Sequence, residues 1–139
     1  MFTILFVDDD LQQEPHMAII LESAGFSVET ATNGKAAIEA VTQRHFDAIL
    51  LDNMLPWGDG ARGGWNEDYS VDPLRTVKRI LEKMQESGRN IPVWIISALP
   101  DEEILAEERT FPFVQEVIKK DCSLTEIAER IRSYLLNAK

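Results

Sequence analysis

Thr3-Ile4-Leu5-Phe6-Val7-Asp8-Asp9-Asp10 is the stretch that decides the fold: a short, unbroken apolar or β-branched run stopped by three acids. A run of that kind reads as a strand covered on both faces, as in parallel sheets flanked by helices. The pattern recurs in Ala48-Ile49-Leu50-Leu51 before Asp52, and in Val93-Trp94-Ile95-Ile96 before Ser97. Ser27-Val28-Glu29-Thr30 supplies another strand, and Val117-Ile118 leads into Lys119 and Lys120. In an open parallel sheet the carboxyl ends of the strands share one edge, where such folds bind ligands. Asp8, Asp9, Asp52, Ser97 and Lys120 are therefore expected to meet there.

Amphipathic stretches separate these runs. Met17, Ile20, Leu21 and Ala24 recur at helical spacing ahead of Gly25, a natural stop. Asn33-Gly34 turns into a helix from about Lys35 to Arg44. Leu74, Val77, Leu81 and Met84 mark a third helical stripe ending near Gly88, and Asp101 to Arg109 a short acidic helix closed by Phe111-Pro112. Ser123 with Glu126 forms a capping box in front of Leu124, Ile127, Ala128, Ile131 and Leu135. Strands and helices in alternation predict an α/β domain with a parallel sheet.

The 139 residues fit one domain with a real core. Fourteen basic against twenty-four acidic residues give a net charge of -10, which disfavours non-specific attraction to nucleic acid and to anionic membranes. Cys122 is the sole cysteine, excluding an internal disulfide and a thiolate zinc cluster and suiting a reducing compartment. The N-terminus has no signal-peptide pattern, and no apolar run approaches a membrane span. A cytoplasmic protein acting through partners is expected.

Carboxylates crowded at one strand edge repel each other, by roughly 4 kcal/mol per pair at about 4 Å and an effective dielectric near 20. A cation between them removes that cost. Mg²⁺ suits the donors, since it prefers oxygen and is commonly held by one or two carboxylates plus phosphate. Asp8 and Asp9 would hold it, directly and through water. Asp52, with an oxygen free, is placed to attack a phosphoryl group and form an aspartyl phosphate. Lys120 would pair with a transferred oxygen as a point charge, and the Ser97 hydroxyl would donate a hydrogen bond to another.

With these residues in view, the chain resembles the receiver domain of two-component response regulators. The resemblance rests on Phe-Val-Asp-Asp-Asp at 6–10, Leu-Leu-Asp-Asn-Met-Leu-Pro at 50–56 with Gly60 beyond, Ile-Pro-Val-Trp-Ile-Ile-Ser-Ala at 91–98, and Lys120 four residues before Leu124. It covers nearly all of residues 1–139. It implies a doubly wound, flavodoxin-like sheet of five parallel strands ordered 2-1-3-4-5. It implies Asp52 as phosphoacceptor, Asp8, Asp9, Asp52 and the backbone carbonyl of Met54 as Mg²⁺ ligands, and Ser97 as the switch hydroxyl. The phosphoryl donor would be a histidine kinase or phosphotransfer protein, and the output a protein bound in trans or a homodimer.

Three features depart from the family pattern. Lys120 is followed by Asp121 rather than proline, which makes Lys119 a competing site lysine; the spacing to Leu124 and Ile127 favours Lys120. Under that alignment Val117 replaces the family's switch aromatic. The third departure is an extended loop between the third strand and third helix, residues 61–73, where receivers enter the helix almost at once. Loops of this length in compact domains are uncommon and tend to be lids or binding loops. Trp65 and Tyr69, with Trp57 just before, are candidate partner anchors, or else pin the loop to the domain.

His16 and His45 read as surface or packing residues away from the strand ends. Cys122 reads as an ordinary residue near a helix start, its thiol somewhat acidified there. Met54, two residues past the acceptor, should flank the path of hydrolytic water and tune the phosphate lifetime. Two rival readings stand beside the receiver. One is a receiver-like adaptor that takes no phosphate. The other is a haloacid-dehalogenase-type Mg²⁺-dependent phosphohydrolase, suggested by the Asp-x-Asp at 8–10 and weakened by Gln12 and by the lack of a late acidic pair.

Overall fold

A computed structural model describes residues 1–8, 16–52, 55, 57–58, 76–97, 102–119 and 122–137, with the side chains of 102–104 set aside. Among them five strands alternate with five helices: β1 Thr3–Val7, α1 His16–Ser23, β2 Ser27–Ala31, α2 Gly34–Gln43, β3 Ala48–Asp52, α3 Thr76–Glu86, β4 Val93–Ser97, α4 Glu102–Arg109, β5 Val114–Lys119 and α5 Leu124–Asn137. All strand pairings are parallel. The order is β2-β1-β3-β4-β5, the doubly wound arrangement that the resemblance implies.

Each face of the sheet carries its own core, because side chains of a strand alternate between faces. Leu5, Val7, Ile49, Leu51, Val93 and Ile95 pack with Ala37, Ala40 and Val41 of α2 and Val77, Ile80, Leu81 and Met84 of α3. Ile4, Phe6, Leu50, Trp94, Ile96 and Ile118 pack on the other face with Met17 and Leu21 of α1 and Ile127, Ala128, Ile131 and Leu135 of α5. Trp94 meets Tyr134 of α5 edge-on, with ring centroids 5.2 Å apart and planes at 81°.

Local chemistry sets the helix ends. The Asn33 side chain accepts a 2.8 Å hydrogen bond from the Ala36 amide, satisfying one of the donors that a helix start leaves open. The capping box at Ser123 forms in part, since Ser123 Oγ accepts from the Glu126 amide at 3.5 Å. Gly25 and Gly88, at φ 99° and 75°, supply the left-handed residues after α1 and α3.

Full burial of every strand holds for β3 and β4 and nearly for β1, but not for β2 and β5. These two lie at the sheet edges, with one strand neighbour each. β5 is also longer than the Val117-Ile118 core. It begins at Val114, and its register with β4 steps from Val93↔Val114 to Trp94↔Glu116, so Gln115 is the extra residue of a bulge. α4 sits against this edge, tied to α3 by Lys78 Nζ to Glu107 Oε2 at 3.1 Å.

Candidate functional site

Val7 and Leu51 are register partners in the β1–β3 ladder, so the residues that follow them, Asp8 and Asp52, leave adjacent strands at the same level. Each is 7 % exposed. Both line one cleft, whose walls are Phe6, Met17, Ile96 and Leu124, with His16 also on its lining. The cleft therefore draws on β1, β3 and β4 and on the starts of α1 and α5. The Asp8 amide extends the β1–β2 ladder by donating to the Ala31 carbonyl at 3.0 Å, which fixes the backbone beneath its carboxylate.

Ser97 ends β4 one residue past Ile96, the register partner of Asp52, and is 5 % exposed. It borders the cleft's strand edge without forming part of its lining. Its register partner on β5 is Lys119, whose side chain is exposed. Asp9, Met54 and Lys120, and the 61–73 loop with Trp65 and Tyr69, lie outside the described residues. Among the described residues no three His, Cys, Asp or Glu side chains gather closely enough to hold a metal ion. The donors present, two enclosed carboxylates in one cleft, are nonetheless the hard oxygens that a small divalent cation requires.

His16 is exposed, as read from the sequence, but its place differs from that reading. It lines the cleft beside Asp8 and Asp52 rather than standing away from the strand ends. The signal was available: the helix of a βα unit begins at the edge where the preceding strand finishes, and His16 opens α1. His45 does occupy the surface, 3.5 Å from Asp47.

Trp57 takes the second of its two readings, and Cys122 differs from its own. Trp57 is 3 % exposed and belongs to the core under α2 and α3, so it pins the chain after β3 and is not a partner anchor. Cys122 Sγ lies 3.3 Å from Glu126 Oε2. Burial and that carboxylate push its thiol above the ordinary value, opposite to the acidification expected at a helix start. Burial, and then the Glu126 carboxylate, are the causes that the helix-start argument leaves out. Glu126 itself is held below the usual carboxylate range, by its hydrogen bond from Cys122 and then by Arg130. Arg130 also bridges to Glu116 of β5 at 3.0 Å.

The family model of the response regulator receiver domain matches residues 4–63, the span that contains Asp8, Asp9 and Asp52. Residues 4–63 carry the receiver-domain pattern of response regulators. Response regulator MprA of Mycobacterium leprae is 27 % identical over 98 % of this chain and 52 % of its own length. The chain spans about half the length of most of the curated relatives it matches. Among solved structures, the receiver domain of response regulator 1452 from Francisella aligns with a TM-score of 0.77 at 21 % identity, covering 100 % of both chains. Response regulator TrrA of Thermotoga maritima, solved with Mg²⁺-BeF, aligns at 0.71 and 17 % identity over 96 % of this chain and 98 % of its own. At these identities the structural likeness speaks for the fold, a CheY-like, flavodoxin-like receiver. This receiver domain therefore carries its two enclosed carboxylates at the carboxyl edge of a 2-1-3-4-5 sheet. Among its described residues no helix is long and apolar enough to cross a membrane.

Proposed function

We propose that this receiver accepts a phosphoryl group on Asp52 from the phosphohistidine of a histidine kinase or phosphotransfer protein. The observation that carries the reading is the shared cleft of Asp8 and Asp52 at the ends of adjacent strands. An Asp52 carboxylate oxygen attacks phosphorus, the bond from phosphorus to the donor's imidazole nitrogen breaks, and that nitrogen keeps the electron pair. Asp8, Asp9, Asp52 and the Met54 carbonyl would hold Mg²⁺. Bound there, Mg²⁺ offsets charge on the transferred oxygens. The Ser97 hydroxyl donates a hydrogen bond to a phosphoryl oxygen, and Lys120 pairs with another. Hydrolysis reverses the state: water attacks phosphorus and the Asp52 carboxylate leaves, so the domain catalyses both its own phosphorylation and its dephosphorylation.

The phosphoryl group adds charge and acceptor oxygens that bias the loops after β3 and β4. Val117, in place of the family's switch aromatic, packs half-buried against the core and has no ring to rotate. Output therefore runs through α4, β5 and α5 as a surface, toward a protein partner in trans or a second copy. Coupling of about 1 to 3 kcal/mol changes affinity some 5- to 150-fold. The net charge of -10 supports a domain that leaves nucleic acid and membranes alone, and the 61–73 insertion, which follows the acceptor in sequence, serves as a docking element.

The test is incubation with Mg²⁺ and acetyl phosphate followed by intact mass of wild type and Asp52→Asn. Wild type gains one phosphoryl group and the variant gains none. Equal uptake by both, or by neither, defeats the reading, and uptake by neither favours the adaptor.

A further inference from the structure

The chain that leaves β3 after Asp52 is moored at Trp57 by one ring and one backbone bond. The Trp57 carbonyl accepts a 2.7 Å hydrogen bond from the Lys35 amide, in the first turn of α2. The indole lies so close to Gly34 that a Cβ there would sit 2.5 Å from Trp57 Cε3 and 2.9 Å from Cζ3, and 2.8 Å from Thr76 Cγ2 at the start of α3. Two cations of α3 flank the ring as well, Arg79 Cζ at 4.8 Å and Lys83 Nζ at 6.0 Å from its centroid. Leu55, between the acceptor and the ring, is fully buried. Asp52 is thus held by the β3 ladder, Leu55 by burial and Trp57 by this wedge.

We propose that Trp57 is a positioning residue of the phosphoryl-transfer site: wedged between α2 and α3 in the space that Gly34 leaves, it anchors the chain five residues past Asp52 and so steadies the acceptor for Mg²⁺-dependent transfer. The proposal rests on the acceptor reading of Asp52 and adds a specific device to it. Mg²⁺ accepts only near-octahedral oxygens, and a misplacement of about 1 Å at a reacting centre can cost on the order of a hundredfold in rate. A fixed loop is therefore worth more here than at an ordinary turn. Among the described residues the buried indole N–H has no hydrogen-bond partner, so the ring acts through its shape and its face, and a phenyl ring can stand in for it.

Gly34→Ala is the clean perturbation. It opens α2, where alanine is the better helix former, so its effect comes from the added carbon. The Lys35 amide, read by hydrogen exchange without metal, should exchange faster in Gly34→Ala and in Trp57→Leu than in wild type. The Mg²⁺ concentration for half-maximal phosphorylation by acetyl phosphate should rise about tenfold in both, while Trp57→Phe stays within about twofold of wild type. Circular dichroism confirms folding of each variant. Folded Gly34→Ala and Trp57→Leu with wild-type Mg²⁺ dependence would overturn the proposal. Should Gly34→Ala not fold, the pair Trp57→Leu and Trp57→Phe decides: a difference supports the role and equality overturns it. Wild type that takes no phosphate at any Mg²⁺ concentration sinks the acceptor reading; phosphorylated wild type beside indifferent variants sinks only the role of Trp57.

Discussion

Asp8 and Asp52 each follow one member of the register pair Val7–Leu51, and the two carboxylates enter one cleft while only 7 % exposed. Two acids so placed are stable together when a cation or a phosphoryl group with its metal lies between them.

Asp8→Asn keeps the shape of the cleft and removes one charge. Mg²⁺ affinity should fall by at least about tenfold, the scale seen when even outer partners of a metal ligand are lost. Isothermal titration of Mg²⁺ into wild type and variant measures this, and the variant should fold normally because asparagine is nearly isosteric with aspartate.

Deleting Ala61 to Ser70 should leave phosphorylation of Asp52 and Mg²⁺ binding intact while reducing binding to the output partner. Intact mass and the same titration check the first part. Loss of Mg²⁺ binding on deletion would show that the loop builds the metal site.

The thiol of Cys122 offers a pH test. Burial and Glu126 raise it, so at neutral pH the fraction present as thiolate is smaller than for a free cysteine, and iodoacetamide alkylation should be slower. The midpoint of the alkylation rate against pH should lie above that of a free thiol and move part of the way down in Glu126→Gln, since burial remains. Glu126 has the opposite sign. Its folded value is depressed, so any stabilisation it contributes is present above the ordinary carboxylate pKa and is lost as pH falls through the folded one.

Asn33→Ala removes the side-chain cap of α2, whose 2.8 Å bond to the Ala36 amide neighbours the Gly34–Trp57 contact. Stability should fall by about 1 kcal/mol, measured by urea denaturation with the slope unchanged.

Much of this fold is legible in the sequence because β1, β3 and β4 are unbroken apolar runs whose ending residues coincide with the chemistry. β5 is less legible for a physical reason. As an edge strand it tolerates Gln115 and Glu116, and its bulge breaks the alternation that would extend Val117-Ile118 back to Val114. The pairing of Asp8 with Asp52 follows from topology, whereas the place of His16 needed the further step that α1 starts at that same edge. Trp57 could not be placed from its neighbours in sequence. Its partner is the absence of a side chain at Gly34, on an element that precedes it by more than twenty residues, and an aromatic residue in a loop looks the same whether it binds a partner or fills such a gap.

In the proposed reaction Asp52 takes phosphate with Mg²⁺ bound beside it. The direct measurement is intact mass after incubation with acetyl phosphate, with Mg²⁺ and with excess chelator, on wild type and Asp52→Asn. Wild type with Mg²⁺ should gain one phosphoryl group, and the other three samples none. A phosphoryl group on Asp52→Asn, or on wild type under excess chelator to the same extent as with Mg²⁺, would contradict that reaction.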